Sequence, residues 1–331
     1  ERIGRIFLAD ESGDLVAEGR WPPELRKGGG GPLGKGGRRA ALRRRAEEVI
    51  KKYAPKPGVA VSEGLRSNRF GTRDRFGVVY GRRGGGSLLV RANADELAAL
   101  EQRDCGKPVK QAKADSVALA RYFEFYGSAA DKIHGEVIPF LNGYQVNLLR
   151  EPLGVTAHII PWNYPAQMMG RSIGPALAMG NAVVVKPAED ACLSCLRIAE
   201  LALEVGFPPG ALNIVSGLGE EAGAALAKHP DINFISFTGS NEVGVLIQQA
   251  AALNAVKCVL ELGGKSPHVV FSDANLELAA STVVRGIIQN TGQTCTAGSR
   301  LLVQSDFYEE FLSLVAEKFS KVRVGTPEMN L

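Results

Sequence analysis

A doubly wound α/β fold on a parallel sheet, followed by the start of a second α/β unit, is predicted for this chain by two observations. From residue 91 onward, short apolar runs alternate with amphipathic helical segments, at the spacing of about a dozen residues or more that parallel neighbours need for their crossovers. Each apolar run also ends in glycine or in reactive polar residues, as expected where loops leave the carboxyl ends of such a sheet. Composition agrees. With 331 residues, 45% hydrophobic and 22% charged, the chain can bury a large core and is neither a disulfide-stapled miniprotein nor a disordered polymer.

Taken in order, residues 1–90 stand apart. They hold 20 of the 39 Lys and Arg and 18 of the 39 Gly, with runs such as Lys27-Gly28-Gly29-Gly30-Gly31, Arg43-Arg44-Arg45 and Arg82-Arg83-Gly84-Gly85-Gly86. Runs of this kind do not sit inside regular elements. The segment reads as a poorly ordered basic extension, and without interleaved aromatics or a recognisable module it is not expected to bind nucleic acid. Two helical stretches follow, Ala92–Arg103, closed at Cys105-Gly106-Lys107-Pro108, and Gln111–Asp131. The segment His134–Pro152 alternates polar and apolar residues. Strands are then expected at 154–160, 182–185, 212–215, 234–237 and 256–260. Helices are expected between them at 167–179, 190–205, 220–228 and 240–254, then a helix at 275–289 and a strand at 300–304. The chain divides into 1–90, 91–262 and 263–331.

No apolar run approaches the roughly 20 residues of a membrane-spanning helix, and Glu1–Asp14 lacks the apolar stretch of a secretory signal. A cytoplasmic location with no membrane partner is the expectation. Five cysteines, Cys105, Cys192, Cys195, Cys258 and Cys295, show no paired metal-knuckle spacing, so a reducing compartment, no metal site and at most one special thiol are expected.

The strand ends carry the candidate chemistry. Gly239-Ser240 lies at a strand-to-helix turn, where free N–H groups favour an anion; taken alone it reads first as an ordinary serine N-cap. Gly217-Leu218-Gly219-Glu220-Glu221-Ala222-Gly223 offers close backbone approach, one residue longer than the dinucleotide fingerprint. Lys186 and Glu189 suit ribose hydroxyls, with the carboxylate repelling a 2′-phosphate; they also read as a solvated pair opening a helix. Cys295 sits in Asn290-Thr291-Gly292-Gln293-Thr294-Cys295-Thr296-Ala297-Gly298-Ser299-Arg300, a polar loop that suits a reactive thiol. Cys192-x-x-Cys195 falls inside an expected helix and not at its start, which argues against a redox pair. Cys105 and Cys258 read as packing residues.

These segments together resemble the aldehyde dehydrogenase superfamily. The resemblance rests on Pro161-Trp162-Asn163-Tyr164-Pro165, Lys186-Pro187-Ala188-Glu189, Leu260-Glu261-Leu262-Gly263-Gly264-Lys265-Ser266-Pro267 and Gly292-Gln293-Thr294-Cys295, with Glu261 and Cys295 34 residues apart. It covers about residues 91–331. It implies a Rossmann-like cofactor domain and oxidation of a small aldehyde to a carboxylic acid. Cys295 is then the nucleophile, Asn163 with the Cys295 N–H the oxyanion donors, and Glu261 the general base, its pKa raised beside an apolar strand end. The implied cofactor is NAD, preferred over NADP because of Glu189. Its contacts are Ile159, Pro161 and Trp162 along the adenosine and pyrophosphate, Lys186 and Glu189 at the ribose, Gly219 near the adenine, and Gly239, Ser240 and Val243 at the phosphates. Met168, Met169 and Thr294 would line the substrate tunnel, and 134–152 would be the hairpin through which the family forms homo-oligomers. The family continues for well over a hundred residues beyond the position of Leu331, including a Glu-x-Phe-Gly-Pro segment that grips the nicotinamide ribose. Three alternatives stand beside hydrolytic turnover: a fragment that binds NAD without reacting, an interaction role through the basic segment with the α/β region as scaffold, and a CoA-acylating enzyme, against which Glu261 argues.

Overall fold

The computed structural model of the chain describes residues 5–9, 15–20, 93–326 and 329. In the N-terminal segment these form an antiparallel pair, β1 (Arg5–Ala9) and β2 (Leu15–Arg20). The glycine runs and Arg43–Arg45 lie outside the described residues, and with them the expected basic extension.

Helices α1 (Ala94–Cys105) and α2 (Val109–Ala129) come next. Gly106 ends α1 in the left-handed conformation (φ 65°), its N–H donating to the Gln102 carbonyl, and Pro108 restarts the chain as the N-cap of α2. The alternating segment forms a hairpin of β3 (Glu136–Ile138) and β4 (Val146–Leu148), exposed along most of its length. The wound unit follows with β5 (Val155–Ile159), α3 (Pro165–Ala178), β6 (Ala182–Lys186), α4 (Leu193–Glu204), β7 (Leu212–Ile214), α5 (Ala224–Lys228), β8 (Phe234–Gly239), α6 (Asn241–Leu253) and β9 (Lys257–Leu262). Its five strands are all parallel, in the order β7-β6-β5-β8-β9. The chain winds outward from β5 through β6 to β7, then returns to lay β8 on the other side of β5. That reversal opens a crevice beyond the carboxyl ends of β5 and β8.

Two apolar clusters cover the two faces of the sheet. One joins Val183 and Val185 to Met169, Ile173 and Leu177 of α3, Ile198 and Leu201 of α4, and Leu119 and Phe123 of α2. The other joins Ala157, Ile159, Ile235 and Phe237 to Ile247, Ala250 and Ala251 of α6. Each large aliphatic side chain fully removed from water contributes about 2 kcal/mol, so these faces dominate the stability of the unit. Under α3 the apolar face is interrupted by a polar file. The buried His158 imidazole lies within hydrogen-bonding distance of Thr156 Oγ1 (2.9 Å) and Ser172 Oγ (2.5 Å), and Ser172 in turn donates to Ser236 Oγ. Burial lowers the His158 pKa to about 4, which keeps the ring neutral.

A second unit contains β10 (Pro267–Val270), α7 (Leu276–Ile288), β11 (Arg300–Val303) and α8 (Tyr308–Ser320), with β10 and β11 parallel and a cluster of Val270, Ala280, Val283, Val284, Phe311 and Val315 beneath them. Strand β10 goes beyond the sequence-based expectation: Pro267 and His268 break its apolar run, and only its pairing with β11 defines it. Element ends shift by one or two residues throughout, and two helices differ more. The helix expected at 220–228 is a π-helical turn, Gly219–Gly223, leading into α5. The helix expected at 190–205 starts at Leu193, with Cys192 as its N-cap.

Candidate active site

The crevice brings together most of the residues singled out from sequence. Lys186, the last residue of β6, has its side chain only 3% exposed, with Nζ 2.6 Å from Glu189 Oε2. Glu189 Oε1 accepts from the Gly219 N–H at 3.4 Å, at the start of the π-helical turn. The hydrogen bond from Lys186 is the main cause holding the Glu189 carboxyl below the ordinary carboxylate range. Lys186, Glu189 and Gly219 are thus linked in one unit, in which Lys186 is buried and the Glu189 carboxylate stays solvated. On the other side of the crevice Ser240 caps α6, its Oγ accepting from the Val243 N–H at 3.3 Å. Ile159 is buried in the sheet, whereas Trp162 and Val243 are 45% and 42% exposed.

The loop that bears Cys295 is stitched to the loop after β5. Asn163 Nδ2 donates to the Gln293 carbonyl at 2.8 Å, and Tyr164 OH lies 2.9 Å from Thr294 Oγ1. Asn290, which sequence reasoning passed over, donates through Nδ2 to the carbonyls of Asn163 (2.9 Å) and Gln293 (3.3 Å). It is 98% buried by the complementary measure of its 2% exposure and takes up left-handed backbone (φ 50°), as does Thr291 (φ 56°). Asparagine tolerates that region better than most residues, so an Asn beside Thr-Gly was the available signal. The turn presents Cys295 as an exposed thiol. On the far side of the loop Gly298 meets the His268 ring: a Cβ on Gly298 would lie 1.8 Å from Nε2.

Behind the β5 loop lies a buried charge cluster that the sequence reading took for a helix stop. Lys107 is fully buried, with Nζ 2.7 Å from both Glu101 Oε2 and Asp115 Oδ2, and 4.4 Å from the Tyr164 ring centroid. Glu101 Oε1 also accepts from the Ala166 N–H (3.0 Å) and the Ser194 hydroxyl (2.7 Å), while Gln111 donates to Asp115 Oδ1. Burial pushes the Asp115 carboxyl up. Removing one partner from such a cluster costs about 3–5 kcal/mol, because the remaining charges are left buried and unpaired.

Three expectations are corrected. Met169 is fully buried in the core and presents no tunnel wall, while Met168 packs against that core only partly buried. Glu261 is half-exposed and paired with Arg171, Nη2 to Oε1 3.2 Å, so the apolar surroundings expected for it are absent. Cys192 and Cys195 do lie at a helix N-terminus; what silences Cys195 is complete burial, which drives its thiol pKa far up. Cys105 is likewise held as the thiol, pushed up to about 12 by burial, and donates to the Trp162 carbonyl. Cys258 donates to Gln248 Oε1 and packs beside the second cluster.

Among the described residues no group of three or more His, Cys, Asp or Glu is placed to hold a metal, and no helix is long and apolar enough to cross a membrane. A family model described as "Aldehyde dehydrogenase family" matches residues 87–330. The chain is 48% identical over 239 residues to the hydroxyisobutyraldehyde dehydrogenase of Mycolicibacterium austroafricanum, covering 72% of this chain and 47% of that protein. It is 47% identical over 241 residues to retinal dehydrogenase 2 of Homo sapiens, covering 72% and 46%. Among solved structures it is similar to betaine aldehyde dehydrogenase from Staphylococcus aureus in complex with NAD+, with a TM-score of 0.75 at 35% identity over 77% of this chain and 50% of that one. The chain spans about half the length of the curated relatives it matches.

Proposed function

The chain belongs to the aldehyde dehydrogenase family, and from that premise we propose that the protein oxidises a small aldehyde to the carboxylic acid with NAD, using Cys295 as nucleophile. The observation that carries this reading is the exposed Cys295 on a loop tied to Asn163 through Gln293. The thiolate adds to the aldehyde carbon, giving a thiohemiacetal whose oxygen bears the charge. An asparagine amide has two N–H donors. One is engaged on the Gln293 carbonyl and fixes the amide plane, leaving the other, with the Cys295 N–H, for the oxyanion.

The crevice fits a dinucleotide. Lys186 and Glu189 are preorganised for ribose hydroxyls, and the carboxylate disfavours a 2′-phosphate, which supports NAD over NADP. Gly219 allows close backbone approach, and the N-terminus of α6, with Gly239, Ser240 and Val243, suits phosphate. Ile159, Pro161 and Trp162 flank the same crevice. When bound, NAD supplies the acceptor for the hydride that leaves the thiohemiacetal carbon. The thioester that remains is attacked by water, Glu261 taking its proton and the Cys295 thiolate departing. For this, Glu261 exchanges its pairing with Arg171 for the water.

A cytoplasmic location and self-association complete the reading. The β3–β4 hairpin leaves Val137, Phe140, Leu141 and Tyr144 at 64–72% exposure or close to it, and an apolar surface of that kind supports pairing with another copy. The test of the activity is NADH formation from a panel of aldehydes, beside Cys295→Ala. Turnover that vanishes in the variant establishes the nucleophile; no turnover with or without added CoA rejects the activity, and turnover only with CoA selects the acylating alternative.

A further inference from the structure

The buried cluster at Lys107 touches neither the cofactor crevice nor Cys295, yet everything around it leads to the two loops that do. Glu101 and Asp115 hold the ammonium on one side, and the Tyr164 ring lies over it on the other. A cation desolvated in this way against an aromatic face attracts it strongly. The far end of that ring reaches Thr294 Oγ1, one residue before Cys295. Glu101 also takes the Ala166 N–H, fixing the first turn of α3. From the neighbouring end of α1, the Cys105 carbonyl accepts from Gln293 Nε2 (3.2 Å) while its thiol donates to the Trp162 carbonyl (3.0 Å). Both loops are therefore anchored on the same short stretch, 101–107.

We infer that Lys107 is a positioning residue, which sets the register between the Asn163 loop and the Cys295 loop by clamping Tyr164 against Thr294. A cluster serving stability alone would have no need to meet the nucleophile loop through a polar contact. Its catalytic consequence rests on the role proposed for Cys295; its structural content does not.

The experiment is amide hydrogen exchange, followed by mass spectrometry, on the purified protein and on Lys107→Met and Tyr164→Phe. Tyr164→Phe leaves every buried charge paired, so it keeps the test decisive if Lys107→Met does not fold. Loss of one tethering hydrogen bond is expected to speed exchange about fivefold in peptides covering 289–298, while peptides of β8 and β9 keep their rates. In the same variants kcat falls while KM for NAD holds, since Lys186, Glu189 and Gly219 are untouched. Unchanged exchange over 289–298 in Tyr164→Phe overturns the inference, and so does acceleration spread evenly over the chain. Because exchange is read without turnover, an inactive parent protein would reject the proposed activity and leave this result standing.

Discussion

The side-chain amide of Asn163 and the backbone carbonyl of Gln293, 130 positions apart in the chain, meet at 2.8 Å. That single bond fixes where the Asn163 amide, the proposed oxyanion donor, stands relative to the thiol two residues further on. Asn163→Ala is therefore expected to lower kcat by about 10²–10³-fold. NAD affinity, measured by calorimetry, is expected to stay as it was, because the Lys186–Glu189 pair lies on another strand. A loss confined to NAD affinity would show that Asn163 serves the crevice and not the reacting carbon.

The five thiols are expected to separate cleanly in alkylation. Cys295 is exposed, Cys195 is fully buried, and Cys105 is held as the neutral thiol by a pKa near 12. Since the thiolate is the reactive form, brief iodoacetamide treatment of the native protein at pH 8 should mark Cys295 and leave Cys105 and Cys195 unmodified until denaturant is added. Peptide mass spectrometry reads this directly. Early labelling of Cys105 would mean that the end of α1 opens in solution.

Acid should destabilise the wound unit through His158. The folded protein holds the ring neutral with a pKa of about 4, against 6.5 for a free histidine. Below pH 6.5 the unfolded chain gains a proton that the folded one refuses. Stability is thus fully present above that pH and declines as pH falls toward 4, by about 3 kcal/mol at most from this group. Urea midpoints measured from pH 7.5 to 4.5 should fall less steeply in His158→Gln than in the parent. Parallel slopes would remove His158 from the account.

Gly298→Ala should be costly although it adds one methyl group. The new Cβ would sit 1.8 Å from His268 Nε2, and the ring has no free space toward Gly286 either, where an added Cβ would lie 2.8 Å from the same atom. Overpacking of this kind costs about 1–3 kcal/mol. Removing the ring in Gly298→Ala/His268→Ala should restore part of that loss, a coupling that a double-mutant cycle isolates. Additive losses would place the strain somewhere other than between these two residues.

The sheet was legible in sequence because apolar runs such as Ala182–Val185 are bounded by polar residues and separated by helical periods, a pattern that depends only on local composition. The candidate residues stood out for the same reason: Cys295 stands in a small-residue loop and Glu261 at the end of a strand. What escaped depends on partners distant in the chain. Lys107 looks like punctuation between two helices until Glu101, Asp115 and Tyr164 close around it. Met169 looks like a tunnel wall until α3 is rotated against the sheet, and Glu261 looks shielded until Arg171 approaches it. Strand β10 is carried by its ladder with β11 more than by its own residues.

The winding order of the sheet bears on how the molecule is made. β5 is at once the middle strand and the first of the five to be synthesised, so on the ribosome it can recruit β6 and β7 early on one edge. Its other edge stays bare until β8 emerges some 75 residues later, counting from Ile159 to Phe234. During that interval a half-built sheet exposes an unpaired strand flanked by apolar side chains, the kind of surface that aggregates or calls for a chaperone. The fold thereby opens this period of vulnerability between the synthesis of β5 and that of β8, before any of the Cys295 loop exists.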